Sequence, residues 1–230
     1  MLSEELRNKY QLIIGLEVHA QLLTESKMFA ADANEYGKSP NTQISVITLG
    51  HPGTLPKVNR KAIAFAIKMG LACNYPDLPK GYQLTQDKGP ICVGGTVPIQ
   101  LADGRQKEVV LNRVHMEEDA GKSIHLAEEA DTLVDFNRAG TPLVEIVTEP
   151  DLHSPEEAYA FLAEVKKLVK YLDICDGNME EGSLRCDANV SVMLKGSKEL
   201  GKKVEVKNMN SFRNVFRAIE HEHERLIGLI

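Results

Sequence analysis

Between Leu184 and Leu194 apolar and polar residues alternate without a break: Leu184, Cys186, Ala188, Val190, Val192 and Leu194 against Arg185, Asp187, Asn189, Ser191 and Met193. A period of two sends successive side chains to opposite faces, so this segment predicts a strand with one face in a core and the other largely polar. Residues 203–207 are its natural pairing partner. The same reading gives a strand over 11–23 and further strands near 91–101, 107–115, 131–136 and 143–148. Gly and Pro punctuate the first 150 residues, as short strands joined by turns require. Three helices are expected. Asn59 caps one that carries Ala62, Ile63, Ala66 and Ile67, with Gly70 placed to close it. Ser154 opens the clearest one: Pro155 fits the first helical position, Glu157 completes a capping box, and Ala158, Phe161, Leu162, Val165, Leu168, Val169 and Leu172 form one apolar stripe. A last helix, from about Ser211, presents Phe212, Val215, Phe216, Ile219 and Leu226, and the chain stops at Ile230 without a cap or polar tail, as a truncated chain would. The fold class is α+β, a mostly antiparallel sheet core with flanking helices.

Composition narrows the class. With 230 residues and 43% hydrophobic content the chain can bury a sizeable core. No run approaches the roughly 18 apolar residues of a membrane span, and the start MLSEELRNKYQ lacks the basic and apolar regions of a signal peptide, so a cytoplasmic protein with no membrane partner is expected. Cys73, Cys92, Cys175 and Cys186 are scattered with no C-x-x-C pair, which argues against a zinc ribbon and a disulfide scaffold. The formal charge of -6 gives no general reason to bind nucleic acid, so any RNA contact must be local.

Four groups of residues could carry chemistry. In IIGLEVHAQL, Glu17 and His19 share a strand face; an exposed edge pair would look the same. In RVHMEEDAGKS, His115, Glu117, Glu118 and Asp119 crowd together, and burying such carboxylates requires a cation, whereas an acidic turn does not. The following GKS is no phosphate loop, because Met116 stands where that motif needs Gly. Glu145 sits in the apolar run TPLVEIVTEPD, where a charge is costly unless paired or metal-bound. Arg185, Asp187 and Asn189, continued by Lys207, Asn208 and Asn210, mix a forked cation, carboxylate and amides in a way that suits a nucleotide or structural hydrogen bonds. One imidazole and several carboxylates suit a hard divalent cation such as magnesium better than zinc, and magnesium sites commonly serve phosphoryl transfer. No Ser or Cys nucleophile with its base is apparent, so release of ammonia from glutamine finds no place here.

The strings IIGLEVH, HPGTLPKVN, PDLPKGYQLTQ, HMEEDAGKS, DFNRAGTPLVEIVTEPD, MEEGSLRCDANVSV and VEVKNMNSF together resemble the B subunits of aspartyl/glutamyl-tRNA amidotransferases, in order and over nearly the whole chain. The resemblance implies that residues 1–230 form the catalytic cradle domain. It implies ATP- and magnesium-dependent phosphorylation of the side-chain carboxylate of Glu or Asp mischarged on tRNA, then amidation by ammonia. The substrates would be Glu-tRNA(Gln) or Asp-tRNA(Asn). A separate amidase (A) subunit would release the ammonia from glutamine, and a small C subunit would belt the two. It puts the metal on His19, Glu118 and Glu145, gives Glu118, Lys80 and Glu17 catalytic roles, and places Lys80 and Gln83 near an ammonia channel or reaction chamber. Arg185, Asp187, Asn189 and Lys207 are then the candidate nucleotide-binding residues.

Three departures from the family pattern stand out. The chain ends before the helical and tail domains that follow the cradle. An insert usual before YPDLPKGYQ is missing between Asn74 and Tyr75. Some relatives carry a zinc site built from C-x-C and C-x-x-C, but residues 28–50 hold no cysteine, so no zinc is expected. The rival readings are a non-catalytic tRNA-binding or assembly subunit and an unrelated magnesium-dependent phosphohydrolase.

Overall fold

The computed structural model describes residues 4–74, 89–126, 131–197 and 199–230. The chain runs α1 (Glu4–Lys9), β1 (Tyr10–Gln21), α2 (Arg60–Ala72), β2 (Cys92–Val93), β3 (Thr96–Gln100), β4 (Gln106–Glu118), β5 (Lys122–His125), β6 (Thr132–Asp135), β7 (Pro142–Thr148), α3 (Pro155–Tyr171), β8 (Leu184–Leu194), β9 (Val204–Met209) and α4 (Phe212–Gly228). Seven strands form one sheet in the order β2-β4-β7-β1-β8-β9, with β3 also on β4, and every pairing is antiparallel. The α+β class is therefore observed. β5 and β6 make a separate hairpin.

β1 is central because alternate residues Leu12, Ile14, Leu16, Val18 and Ala20 all enter the core, at 4% exposure or less. On the same face, Cys186, Ala188, Val190 and Val192 of β8 and Val144 and Ile146 of β7 complete an apolar layer. Helices cover that layer. α3 is capped by the Ser154 hydroxyl, which accepts from the Glu157 amide, and it buries Ala158, Phe161, Leu162, Val165 and Val169. At about 1.5–3 kcal/mol for each large apolar side chain, this stripe outweighs the helix's weak intrinsic preference. α4 adds Val215, Ile219 and Leu226. Because the helices take the apolar face, the opposite face of the sheet keeps its charges.

One strand and one helix expectation change. The expected strand over 91–101 breaks into β2 and β3, because Gly94 and Gly95 adopt φ of 79° and 87°, a region that costs a residue with a side chain dearly. α2 passes through buried Gly70 and closes at Cys73 instead. β5 and α1 were not expected; both are short and lack periodicity. A bulge in β4 matters more. Val109 and Leu111 point into the core, the register against β7 shifts between Leu111 and Arg113, and thereafter Val114 and Met116 point inward. The inward phase has moved by one residue, so every later side chain of β4 changes face.

Candidate active site

The polar face is built rung by rung. His115, Glu145, His19 and Arg185 lie abreast on β4, β7, β1 and β8. The next rung carries Arg113, Val147, Glu17 and Asp187 in the same strand order. Alternation adds Glu117, two residues beyond His115. The result is a compact cluster: His19 Nε2 lies 3.7 Å from Glu17, 3.4 Å from Glu117 and 3.7 Å from Glu145. His115 Nε2 is 3.3 Å from Glu117, and its Nδ1 is 2.9 Å from Glu145 Oε2.

Glu145 is the hub. It is 2% exposed, and its Oε2 has no hydrogen bond of acceptable geometry although His115 and Arg113 stand close. Its ligand atoms belong to two groups that could each hold a cation, Glu17 with His19 and Glu145, and His115 with Glu117 and Glu145. The ionisation pattern follows from this crowding. A hydrogen bond shared with Glu145, then burial, then repulsion by Glu145 push Glu17 up to about 7. Burial opposes the charge on His115, but Glu117 and Glu145 outweigh it and raise its pKa to about 9. The same balance raises His19. Contacts with His115 and then His19 hold Glu117 well below the usual carboxylate range. Burial raises Glu145, yet His115 and Glu17 beside it win and leave it lowered.

Glu118 does not join this cluster. After the bulge it shares the inward phase of Met116, beyond the end of the core, and its Oε2 lies near Gly140 and Lys27. There it lines a separate cleft of about 630 Å³ with Lys27, Phe29, Thr48, Asp119 and Gly140. Glu117 occupies the place beside His19 and Glu145 that the resemblance gives to Glu118. Lys80 and Gln83 lie outside the described residues.

The expected nucleotide-side residues share the polar face with Glu17 and His19. Arg185 donates two hydrogen bonds to Asp119, at 3.2 and 2.9 Å, and Gln21 donates a third at 3.0 Å. Lys207 pairs with Asp187 at 2.8 Å and Glu205 at 2.9 Å, which raises its pKa. Among the described residues Asn189 Oδ1 is buried with no hydrogen-bond partner, and beside it Gly15 contributes no side chain. Asp119 was noted in the acidic run, but nothing in the run reveals that it locks Arg185 from another strand. A larger hollow of about 1530 Å³ lies between β3, α3 and α4, away from the histidine and carboxylate cluster.

These features define an α+β domain that gathers carboxylates and imidazoles on the face of an antiparallel sheet opposite its helices. Residues 12–230 match the family profile described as "GatB/GatE catalytic domain", and the chain belongs to that family. It is similar to the B subunits of aspartyl/glutamyl-tRNA(Asn/Gln) amidotransferases. It is 50% identical over 242 residues to the one from Synechococcus sp. (strain JA-2-3B'a(2-13)), with 96% of this chain and 49% of the relative covered. It is 52% identical over 237 residues to those from Oleidesulfovibrio alaskensis and Halorhodospira halophila, with 96% of this chain and 50% of each relative covered. The chain thus spans about half the length of these curated relatives. Among the described residues no helix is long and apolar enough to cross a membrane.

Proposed function

We propose that this domain activates the side-chain carboxylate of Glu or Asp carried on tRNA, using ATP and magnesium, and lets ammonia convert it to the amide. In balanced form, a carboxylate oxygen attacks the γ-phosphorus of ATP and ADP leaves. Ammonia then attacks the acyl carbon, phosphate leaves, and a proton is lost from nitrogen. The observation that carries this reading is Glu145: a buried carboxylate held by ion-pair contacts to His115 and Arg113 and shared by two candidate ligand groups, on a face that also bears Glu17, His19 and Glu117. Oxygen donors with one or two imidazoles fit magnesium.

When bound, magnesium would supply positive charge that offsets the negative charge of the phosphate oxygens. His19, Glu145 and Glu17 would hold it, with Glu117 and His115 adjoining. Arg185, already fixed by Asp119, and Lys207 supply positive charge beside them, and Asn189 offers a buried amide whose oxygen is unpaired among the described residues. Glu118 and Lys27 face the neighbouring cleft, suited to the aminoacyl end rather than to the metal.

The reading assigns ammonia release from glutamine to a separate amidase subunit, with a small third subunit, in the cytoplasm. Its support here is the chemistry of the thiols. All four cysteines are buried, and burial raises Cys73 to about 12 and Cys92 and Cys175 to about 11, so none is an available thiolate. No zinc is included: residues 28–50 hold no cysteine, and Asp32 organises that loop by accepting from the Ser45 amide and hydroxyl and the Thr48 hydroxyl.

The test is ADP formation by the assembled enzyme. It should require magnesium and mischarged tRNA together and be lost in Glu145→Gln. ADP formation that is indifferent to mischarged tRNA, or unchanged in the variant, would favour the assembly-subunit reading.

A further inference from the structure

Residues 36–76 contain five of the chain's 27 Lys and Arg residues and none of its 33 Asp and Glu. Such a one-sided stretch is unexpected in a chain of net charge -6. Lys38 is paired with Glu35, just outside the stretch. The other four cations, Lys57, Arg60, Lys61 and Lys68, are exposed, and among the described residues no carboxylate lies within ion-pair distance of them. Arg60 and Lys61 open α2, whose first turn holds no acidic residue, whereas α3 opens with Glu156 and Glu157. Cations at the positive end of a helix dipole weaken it, so this arrangement is not explained by helix stability. Lys61 and Lys68 flank the Phe65 ring at 5.4 and 5.6 Å, which fixes their stems on one stripe.

The position of the stripe gives it a use. The segment before α2 is tied to the cleft: the Lys57 amide donates to Phe29 O, the Asn59 side chain donates to Lys27 O, and Thr54 and Pro56 line the cleft itself. Inside the cleft Lys27 is buried at 1% exposure, with one hydrogen bond of 3.3 Å to Phe136 O; among the described residues no carboxylate lies within ion-pair distance of its ammonium, and Asp32 and Asp135 act on it only from farther away. A basic outer edge thus leads to a cleft with a buried cation and Glu118. We infer that Lys57, Arg60 and Lys61 form a docking edge for the phosphate backbone of an RNA whose end enters this cleft. The inference rests on the reading of a tRNA-linked substrate and adds where its backbone touches this domain. Phosphate contacts position an RNA without reading its sequence, so three exposed cations just after the cleft-lining Thr54 and Pro56 are sufficient for that role.

The test uses the full chain and two probes, deacylated tRNA and vesicles of phosphatidylserine with phosphatidylcholine. Binding is measured over a range of salt for wild type, for Lys57→Gln/Arg60→Gln/Lys61→Gln, and for a charge-matched control, Lys195→Gln/Lys202→Gln/Lys203→Gln. Each lost phosphate contact lowers the slope of log affinity against log salt by about 0.7–0.9. The first triple variant should therefore lose about 2–3 from the slope, equally for tRNAs of different sequence, while the control and the melting temperature stay as in wild type. An unchanged slope in the first variant refutes the edge and leaves the substrate reading standing. Loss of vesicle binding with tRNA binding intact refutes it in favour of a membrane contact. Wild type without salt-dependent tRNA binding overturns the substrate reading and the edge together.

Discussion

Replacing Glu145 by Gln keeps the shape of the side chain and removes its charge from the centre of both candidate ligand groups. The attraction between a divalent cation and one carboxylate at about 2.1 Å is roughly 4 kcal/mol even at the dielectric constant of water. That corresponds to about three decades in Kd. Glu145 is only 2% exposed, so screening at the site is weaker than in water. Against this, Gln keeps a carbonyl ligand, and the repulsion between Glu145 and Glu17 disappears. The net expectation is a loss of at least about 100-fold in magnesium or manganese affinity, read by calorimetric titration with circular dichroism to show that the fold persists. Glu17→Gln and Glu117→Gln should each lose less, because each belongs to one group only. Glu118→Gln should titrate as wild type. Wild-type affinity in Glu145→Gln, or a larger loss in Glu118→Gln than in Glu145→Gln, would refute the assignment and return the ligand set to the one expected from sequence.

Three further outcomes follow from the same geometry. In chelator, stability should fall between pH 6.5 and 9.5. His115 has a folded pKa of about 9 against 6.5 unfolded, so its contribution is full below 6.5 and is lost as pH rises through 9, up to about 3 kcal/mol; a urea midpoint that stays flat or rises over this window, or a slope unchanged in His115→Asn, would sink the argument. Asp32→Ala removes an acceptor used by Ser45 and Thr48 and should cost about 1–3 kcal/mol, with faster proteolysis within residues 36–55 as the sign that the loop has loosened. The four thiols should react with a disulfide reagent at pH 8 only at the rate of unfolding, and a fast-reacting thiol in the native protein would contradict their burial.

Much of the architecture was readable because it rests on period and caps. The stripe from Ala158 to Leu172 and the alternation from Leu184 to Leu194 each pointed to one element, and both elements formed; the strand keeps the expected faces from Leu184 to Val190, whereas toward its end Ser191 is buried and Leu194 exposed. Glu145 could be singled out as a charge in an apolar run, and it is buried. What sequence pattern could not supply was phase and partnership. The bulge between Leu111 and Arg113 decides whether Glu117 or Glu118 reaches His19, and it depends on pairing with β7 rather than on any local signal. The hold of Asp119 on Arg185 joins residues 66 positions apart, and the sharing of Glu145 between two imidazoles needs three strands in register. The break at Gly94 and Gly95 was available in the sequence, since paired glycines inside an apparent strand mark an irregularity.

The central claim is that this domain holds the activation site and a partner supplies ammonia. Its most direct test is conversion of mischarged tRNA by the assembled enzyme with free ammonium in place of glutamine. Glu145→Gln should abolish the reaction with either nitrogen source, while a lesion in the partner's amidase site should be rescued by ammonium. Full ammonium-dependent conversion by Glu145→Gln would contradict the account and leave the charged face with an architectural role.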